Sequence, residues 1–141
     1  MPVSLHPVPV KCSHGMPKFG LFFWAGDGKQ PAAEYLNSLR RSRPHEAAKM
    51  VKLFRHKVDN GYITNTQHFK DVEGQKPLYE FKVGGIRVYC FFDETRMILV
   101  EGYTKQTNKT SAQNRQAIER AERRTEAYWK EKDAGRIEVY E

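Results

Sequence analysis

Leu78-Tyr79-Glu80-Phe81-Lys82-Val83-Gly84-Gly85-Ile86-Arg87-Val88-Tyr89-Cys90-Phe91-Phe92 sets two alternating runs on either side of a glycine pair. Period-two alternation sends successive side chains to opposite faces of a strand. Two such runs joined by Gly-Gly are a strong hairpin signal. The stretch predicts antiparallel strands from Leu78 to Val83 and from Ile86 to Phe92. Asp93-Glu94-Thr95-Arg96 then turns the chain into a third run, Met97 to Lys105. In that run Ile98, Val100 and Gly102 face one way, and Glu101, Tyr103 and Lys105 the other. One register buries the apolar sets against helices and leaves Glu80, Lys82, Arg87, Tyr89, Glu101, Tyr103 and Lys105 together on a free face.

Working outward, Phe19 to Ala25 is dense in aromatics and predicts an earlier strand, ended by Gly26-Asp27-Gly28. Pro31 suits the first turn of a helix through Ala33, Leu36 and Leu39, and Ser42-Arg43-Pro44 interrupts it. A second helix shows one apolar face at Ala47, Met50/Val51, Phe54 and Val58 and ends at Asn60-Gly61. Residues 62–77 read as a loop. Beyond the strands, Ser111 to about Lys132 predicts a helix with a narrow apolar stripe at Ala117/Ile118, Ala121, Thr125 and Tyr128. The expected class is α+β, in the order β-α-α-β-β-β-α, with helices packed on one face of a small antiparallel sheet. The expected organisation is an extended Pro-rich segment over residues 1–18, one domain over 19–132, and a tail over 133–141. That tail either adds an edge strand through Ile137 and Val139 or stays loose.

A chain of 141 residues with 39% hydrophobic and 29% charged residues has the composition of a soluble globular protein. Its longest strongly apolar run, Leu21 to Ala25, is far too short to span a bilayer. His6, Pro7, Pro9 and Lys11 break up any apolar leader, so the expected location is the cytoplasm. Two cysteines make neither a disulfide framework nor a metal site. Cys12-Ser13-His14 lacks a second ligand cluster, and Cys90 reads as a small core residue. No metal and no cofactor is expected.

Net charge is +7, and residues 1–60 hold most of it, with ten Lys/Arg against four Asp/Glu. Such an excess favours a polyanionic partner, whether RNA, DNA or an acidic protein. The helical hairpin carries Arg40, Arg41, Lys52 and Arg55 among its basic residues, candidates for RNA contact or simply a solvated surface. The free-face constellation also has a plain reading, since opposite charges on neighbouring strands commonly pair, as Arg87 could with Glu80 or Glu101. The loop that follows, Thr104 to Ser111, is polar, carries Lys105 and Lys109, and runs into a helix, where such groups can hold phosphates. Thr110 or Ser111 serves equally as a helix N-cap.

Leu78-Tyr79-Glu80-Phe81-Lys82, Ile86-Arg87-Val88-Tyr89 and Val100-Glu101-Gly102-Tyr103-Thr104-Lys105-Gln106-Thr107-Asn108-Lys109-Thr110 resemble the signature of phage-derived HigB-type proteins of the RelE/ParE superfamily. In that family a leucine-x-glutamate-leucine-arginine strand leads to a tyrosine-arginine strand. A glycine-phenylalanine-x-lysine-lysine-threonine segment, with a further lysine-threonine-proline, then precedes the last helix. The likeness covers about residues 19–130. Glu80, Arg87, Lys105 and Lys109 match directly. Lys82 stands for arginine, Tyr103 for phenylalanine, Gln106 for the second lysine and Ser111 for proline. Lysine keeps the charge of arginine but loses its bidentate fork.

The resemblance implies a toxin that cuts messenger RNA on the ribosome, held in check by a cognate antitoxin, a DNA-binding protein of helix-turn-helix type encoded beside it. The implied chemistry is attack of a ribose 2′-hydroxyl on the adjacent phosphate. Arg87 is then the main stabiliser of the developing charge, assisted by Lys82 and Lys105, with Glu80 or Tyr103 moving protons. Lys109 and Tyr89 would contact the RNA. Two alternatives share the fold: a non-catalytic nucleic-acid or partner-binding module, and a ParE-like toxin directed at DNA gyrase. Loss of RNA cleavage, as opposed to binding, in Arg87→Ala separates the first reading from both.

Overall fold

A computed structural model describes residues 2–11, 17–61, 67–72, 77–105 and 111–141, with the Ser111 side chain left aside. The chain runs β1 (Val3–Pro7), β2 (Gly20–Gly26), α1 (Pro31–Ser42), α2 (Pro44–Asn60), β3 (Phe69–Val72), β4 (Leu78–Val83), β5 (Ile86–Asp93), β6 (Arg96–Thr104), α3 (Ser111–Asp133) and β7 (Glu138–Val139). The fold is α+β. Among the described residues the strands form one mostly antiparallel sheet in the order β3-β4-β5-β6-β2-β1-β7, with parallel pairing only between β2 and β6 and between β1 and β7. No helix among the described residues is long and apolar enough to cross a membrane.

Local signals place the two helices of the helical hairpin and the β4–β5 turn where the sequence predicts them. Pro31 and Pro44 each open a helix, where the missing N–H costs nothing. Gly61 closes α2 in the left-handed region at φ 82°. Val83 pairs with Ile86 across the two-residue Gly84-Gly85 turn, with Gly84 at φ 55°.

Three expectations are corrected. Helices cover both faces of the sheet, not one. Leu36, Leu39, Met50, Phe54 and Val58 of α1 and α2 pack on Leu21, Phe23, Phe81, Ile86, Val88, Cys90 and Leu99. Ala117, Ala121 and Tyr128 of α3 pack on the reverse face, over Leu5, Trp24, Leu78, Tyr89, Phe91, Ile98 and Val100. The reason lies in Cys90-Phe91-Phe92 and Met97-Ile98-Leu99-Val100. Continuous apolar runs make central strands hydrophobic on both sides, and both sides then need cover.

Next, the alternation in β6 is broken. Tyr89 pairs with Glu101 while Cys90 pairs with Leu99, so Val100 is an extra, bulged residue. Ile98 therefore shares the α3 side with Glu101 and Tyr103. Gly102 and Thr104 face α1, where the Tyr35 hydroxyl lies 2.7 Å from Thr104 Oγ1 and its ring leaves no room for a Cβ at residue 102.

Finally, segments read as irregular contribute strands. β1 lies within the Pro-rich front and pairs with β2, and β3 lies within the expected loop and pairs with β4. β7 realises the edge-strand option for the tail by lying parallel to β1.

Candidate nucleic-acid interface

The β4–β5 hairpin and the end of β6 set two cross-strand rows on the α3 side of the sheet. The inner row runs Lys70, Glu80, Tyr89, Glu101, and the outer row runs Lys82, Arg87, Tyr103. Lys105 follows β6 and is fixed to the turn, since its N–H donates to the Gly85 carbonyl at 2.7 Å. A Cβ on Gly85 would stand 2.7 Å from the Lys105 carbonyl oxygen, so glycine permits this close approach.

Four cations thus gather toward the turn end of the hairpin. Lys82 is partly buried, and its pKa is lowered first by desolvation and then by Lys70, Arg87 and Lys105. Glu80 opposes them but is buried and already pairs with Lys70, Nζ to Oε1 3.6 Å. Arg87 Nη1 donates to the carbonyls of Gly84 (2.5 Å) and Ile86 (3.1 Å), which anchors the guanidinium at the turn. An arginine carries five N–H donors, so donors remain beyond this anchor. A cluster of like charges with so little internal compensation gains most from an external anion.

The inner row is not a free face. Tyr89 is fully buried, and its hydroxyl donates to Asn114 Oδ1 of α3 at 2.7 Å. Burial, followed by the nearby Glu80 charge, pushes this phenol well above its ordinary range. Tyr89 therefore offers no ring for a base to stack on. Glu101 is buried beneath α3 and accepts from Arg120 (2.5 Å) and Arg124 (3.1 Å). Beside Arg87, the Tyr103 hydroxyl is buried with no hydrogen-bond partner among the described residues.

Glu80, Lys82, Arg87, Tyr89, Tyr103 and Lys105 are brought together. Arg40, Arg41, Lys52 and Arg55 are not, because α1 and α2 cover the opposite face of the sheet. Lys109 and the loop 106–110 lie outside the described residues, as do Cys12 and His14. Thr110 as an N-cap lies outside them too, and the Ser111 side chain is not described. Cys90 is fully buried, and burial pushes its thiol pKa up. Among the described residues no three His, Cys, Asp or Glu side chains gather to hold a metal. The sequence reading missed Lys70, because a four-residue strand shows too little alternation, and Asn114, because nothing in a polar helix start marks a partner for a buried phenol.

No curated protein and no solved structure matches the chain. A family model described as Phage derived protein Gp49-like (DUF891) matches residues 34–126, from α1 into α3, about two-thirds of the chain and the whole cation cluster. The chain belongs to the phage-derived Gp49-like family.

Proposed function

We propose that this protein is the toxin of a toxin–antitoxin pair, a HigB-like member of the RelE/ParE superfamily that cuts messenger RNA on the ribosome. The observation that carries the reading is the convergence of Lys70, Lys82, Arg87 and Lys105 on one hairpin end, with a single buried carboxylate, Glu80, among them. Its expected setting is the cytoplasm, and its expected inhibitor is the neighbouring helix-turn-helix antitoxin. No metal or cofactor enters the chemistry proposed.

In this reading the ribose 2′-oxygen attacks the adjacent phosphorus. The bond from phosphorus to the 5′-oxygen breaks, leaving a 2′,3′-cyclic phosphate and a 5′-hydroxyl. The 2′-hydroxyl proton leaves to a base and a proton reaches the 5′-oxygen, so no co-reactant is consumed. Arg87 holds the phosphorane oxygens, and Lys82 and Lys105 add fixed positive charge. Removing such a stabiliser costs on the order of a hundredfold to a thousandfold in rate. Tyr103, whose hydroxyl has no partner among the described residues and stands in the outer row beside Arg87, exchanges the proton. Glu80 sets the field around Lys70 and Lys82. Tyr89 is excluded as a base, because its hydroxyl is committed to Asn114 and its pKa is raised.

The test is primer extension on a reporter messenger after pulsed induction in a bacterial host, comparing wild type with Arg87→Ala. New 5′ ends with wild type alone, dependent on translation, support the proposal. Growth arrest without new ends indicates a gyrase-type target. Neither arrest nor cleavage indicates a binding module.

A further inference from the structure

The flank of α3 that faces β2 carries a second basic feature. Arg120, Arg123 and Arg124 line, with Trp24 and Asp27, a cleft of about 290 Å³. Trp24 is 3% exposed, and its indole Nε1 is buried with no acceptor among the described residues. A buried indole N–H ordinarily finds a partner, and leaving one unmade is destabilising. The Arg124 guanidinium stands 5.6 Å from the Trp24 ring centroid and donates to the Val100 carbonyl at 2.9 Å.

Glu101 occupies part of Arg120 and Arg124, while Arg123 is exposed. Even with Asp27 at the cleft, three guanidiniums face two carboxylates and positive charge remains in excess. Guanidinium forks match the geometry of phosphate oxygens. Glu101 also links the cleft to the hairpin cluster. It opposes Tyr89 across the sheet and lies four residues along the chain before Lys105, which follows β6, roughly 13 Å at about 3.3 Å per residue. A single RNA strand laid over the hairpin end can therefore reach the cleft around the first half of α3.

Resting on the reading of this protein as an RNA-cutting enzyme, we propose that the cleft formed by Trp24, Arg120, Arg123 and Arg124 is a second phosphate subsite. It grips the RNA backbone a few nucleotides from the bond that is cut. Arg123 supplies the free fork, and the Trp24 N–H gains the acceptor it lacks.

The experiment is fluorescence anisotropy of a labelled single-stranded RNA of about a dozen nucleotides, read across a salt series, with thermal melts to establish folding. Each phosphate contact contributes about 0.7 to the slope of log K against log salt for a single strand. Arg123→Gln is expected to weaken binding several-fold and to lower that slope by about 0.7. Trp24→Phe, which keeps a ring but removes the donor, weakens binding with little change of slope. Lys130→Gln, at the far exposed end of α3, changes neither. If Arg123→Gln and Trp24→Phe bind like wild type while Arg87→Ala loses affinity, the subsite is wrong and the hairpin reading stands. If Arg87→Ala also binds like wild type, the RNA reading itself fails. Binding of a poly-glutamate peptide that depends on Arg123, without any Arg123-dependent RNA binding, would overturn the proposal in favour of an acidic protein partner.

Discussion

Lys57 is buried on α2 in a box of three rings, with its Nζ 4.4 Å from the Phe69 centroid, 5.4 Å from Phe92 and 5.5 Å from Phe19. Burial lowers its pKa below the ordinary lysine value. Because the folded value lies below the unfolded one, protonation opposes folding. The resulting penalty is present at neutral pH and fades as pH rises from the folded value toward the unfolded value near 10.4. Ring contacts offset part of the cost. Lys57→Met is therefore expected to stabilise the fold by about 1–2 kcal/mol at pH 7, the size of one relieved buried polar group. Urea titrations at pH 7 and pH 9.5 check it, and the gain should shrink at the higher pH. Gly85 gives a second prediction at this scale. Gly85→Ala sets a methyl against the Lys105 carbonyl and should lower RNA affinity about tenfold, a change of about 1.4 kcal/mol, in the same anisotropy assay. Lys82, Arg87, Tyr103 and Lys105 were legible as companions because alternation alone sets their face. The exposure of Tyr89 and Glu101 was not, since it depends on where a helix some twenty residues away comes to rest.

At the scale of elements, α3 is fastened to the sheet by the Tyr89–Asn114 bond and by two ion-paired points, as well as by its narrow apolar stripe. One ion-paired point is Glu101 with Arg120 and Arg124. The other is buried Asp93, which accepts from Tyr128 at 2.5 Å and Lys132 at 2.6 Å. Burial pushes the Asp93 carboxyl up, but the bonds from Lys132 and Tyr128 outweigh it and hold the pKa below its ordinary value. Tyr128 in turn is pushed up to about 12, by burial first and then by the bond to Asp93. The signs follow from linkage. Asp93 stabilises the fold above its unfolded pKa near 3.9, and that contribution is lost as pH falls through the lower folded value. Tyr128 contributes below about pH 10 and loses its contribution toward 12. Asp93→Asn is expected to cost about 1–3 kcal/mol at pH 7, measured by denaturant unfolding, with the difference from wild type vanishing in strong acid. The hairpin, α1, α2 and α3 were readable because each shows several turns or alternations of its own. β1 and β3 were not, because strands of four or five residues take their definition from the neighbour they pair with, and two-residue β7 was legible only as one of two options for the tail.

Among the described residues the molecule is a seven-stranded sheet covered on both faces, and the first strand matters to it. β1 bridges β2 and β7, and Leu5 is fully buried against the α3 side of the core. Leu5→Ala should cost about 2–5 kcal/mol in a single cooperative unfolding transition. A small loss would mean that the front segment is an appendage. The charge census taken along the chain pointed to residues 1–60, yet the candidate site draws its cations from residues 70 to 105, where positive and negative residues nearly balance. The resolution is burial. Asp93 and Glu101 are consumed by α3, so they do not neutralise Lys82, Arg87 and Lys105 at the hairpin end. Net charge by segment cannot reveal which carboxylates fold inward. The most direct test of the proposed function is a purified translation reaction, with the 3′ ends of the cut messenger analysed chemically. The proposed function predicts 2′,3′-cyclic phosphate ends that appear only with translating ribosomes and disappear with Arg87→Ala. An intact messenger with folded wild-type protein, or cleavage undiminished in Arg87→Ala, would contradict it.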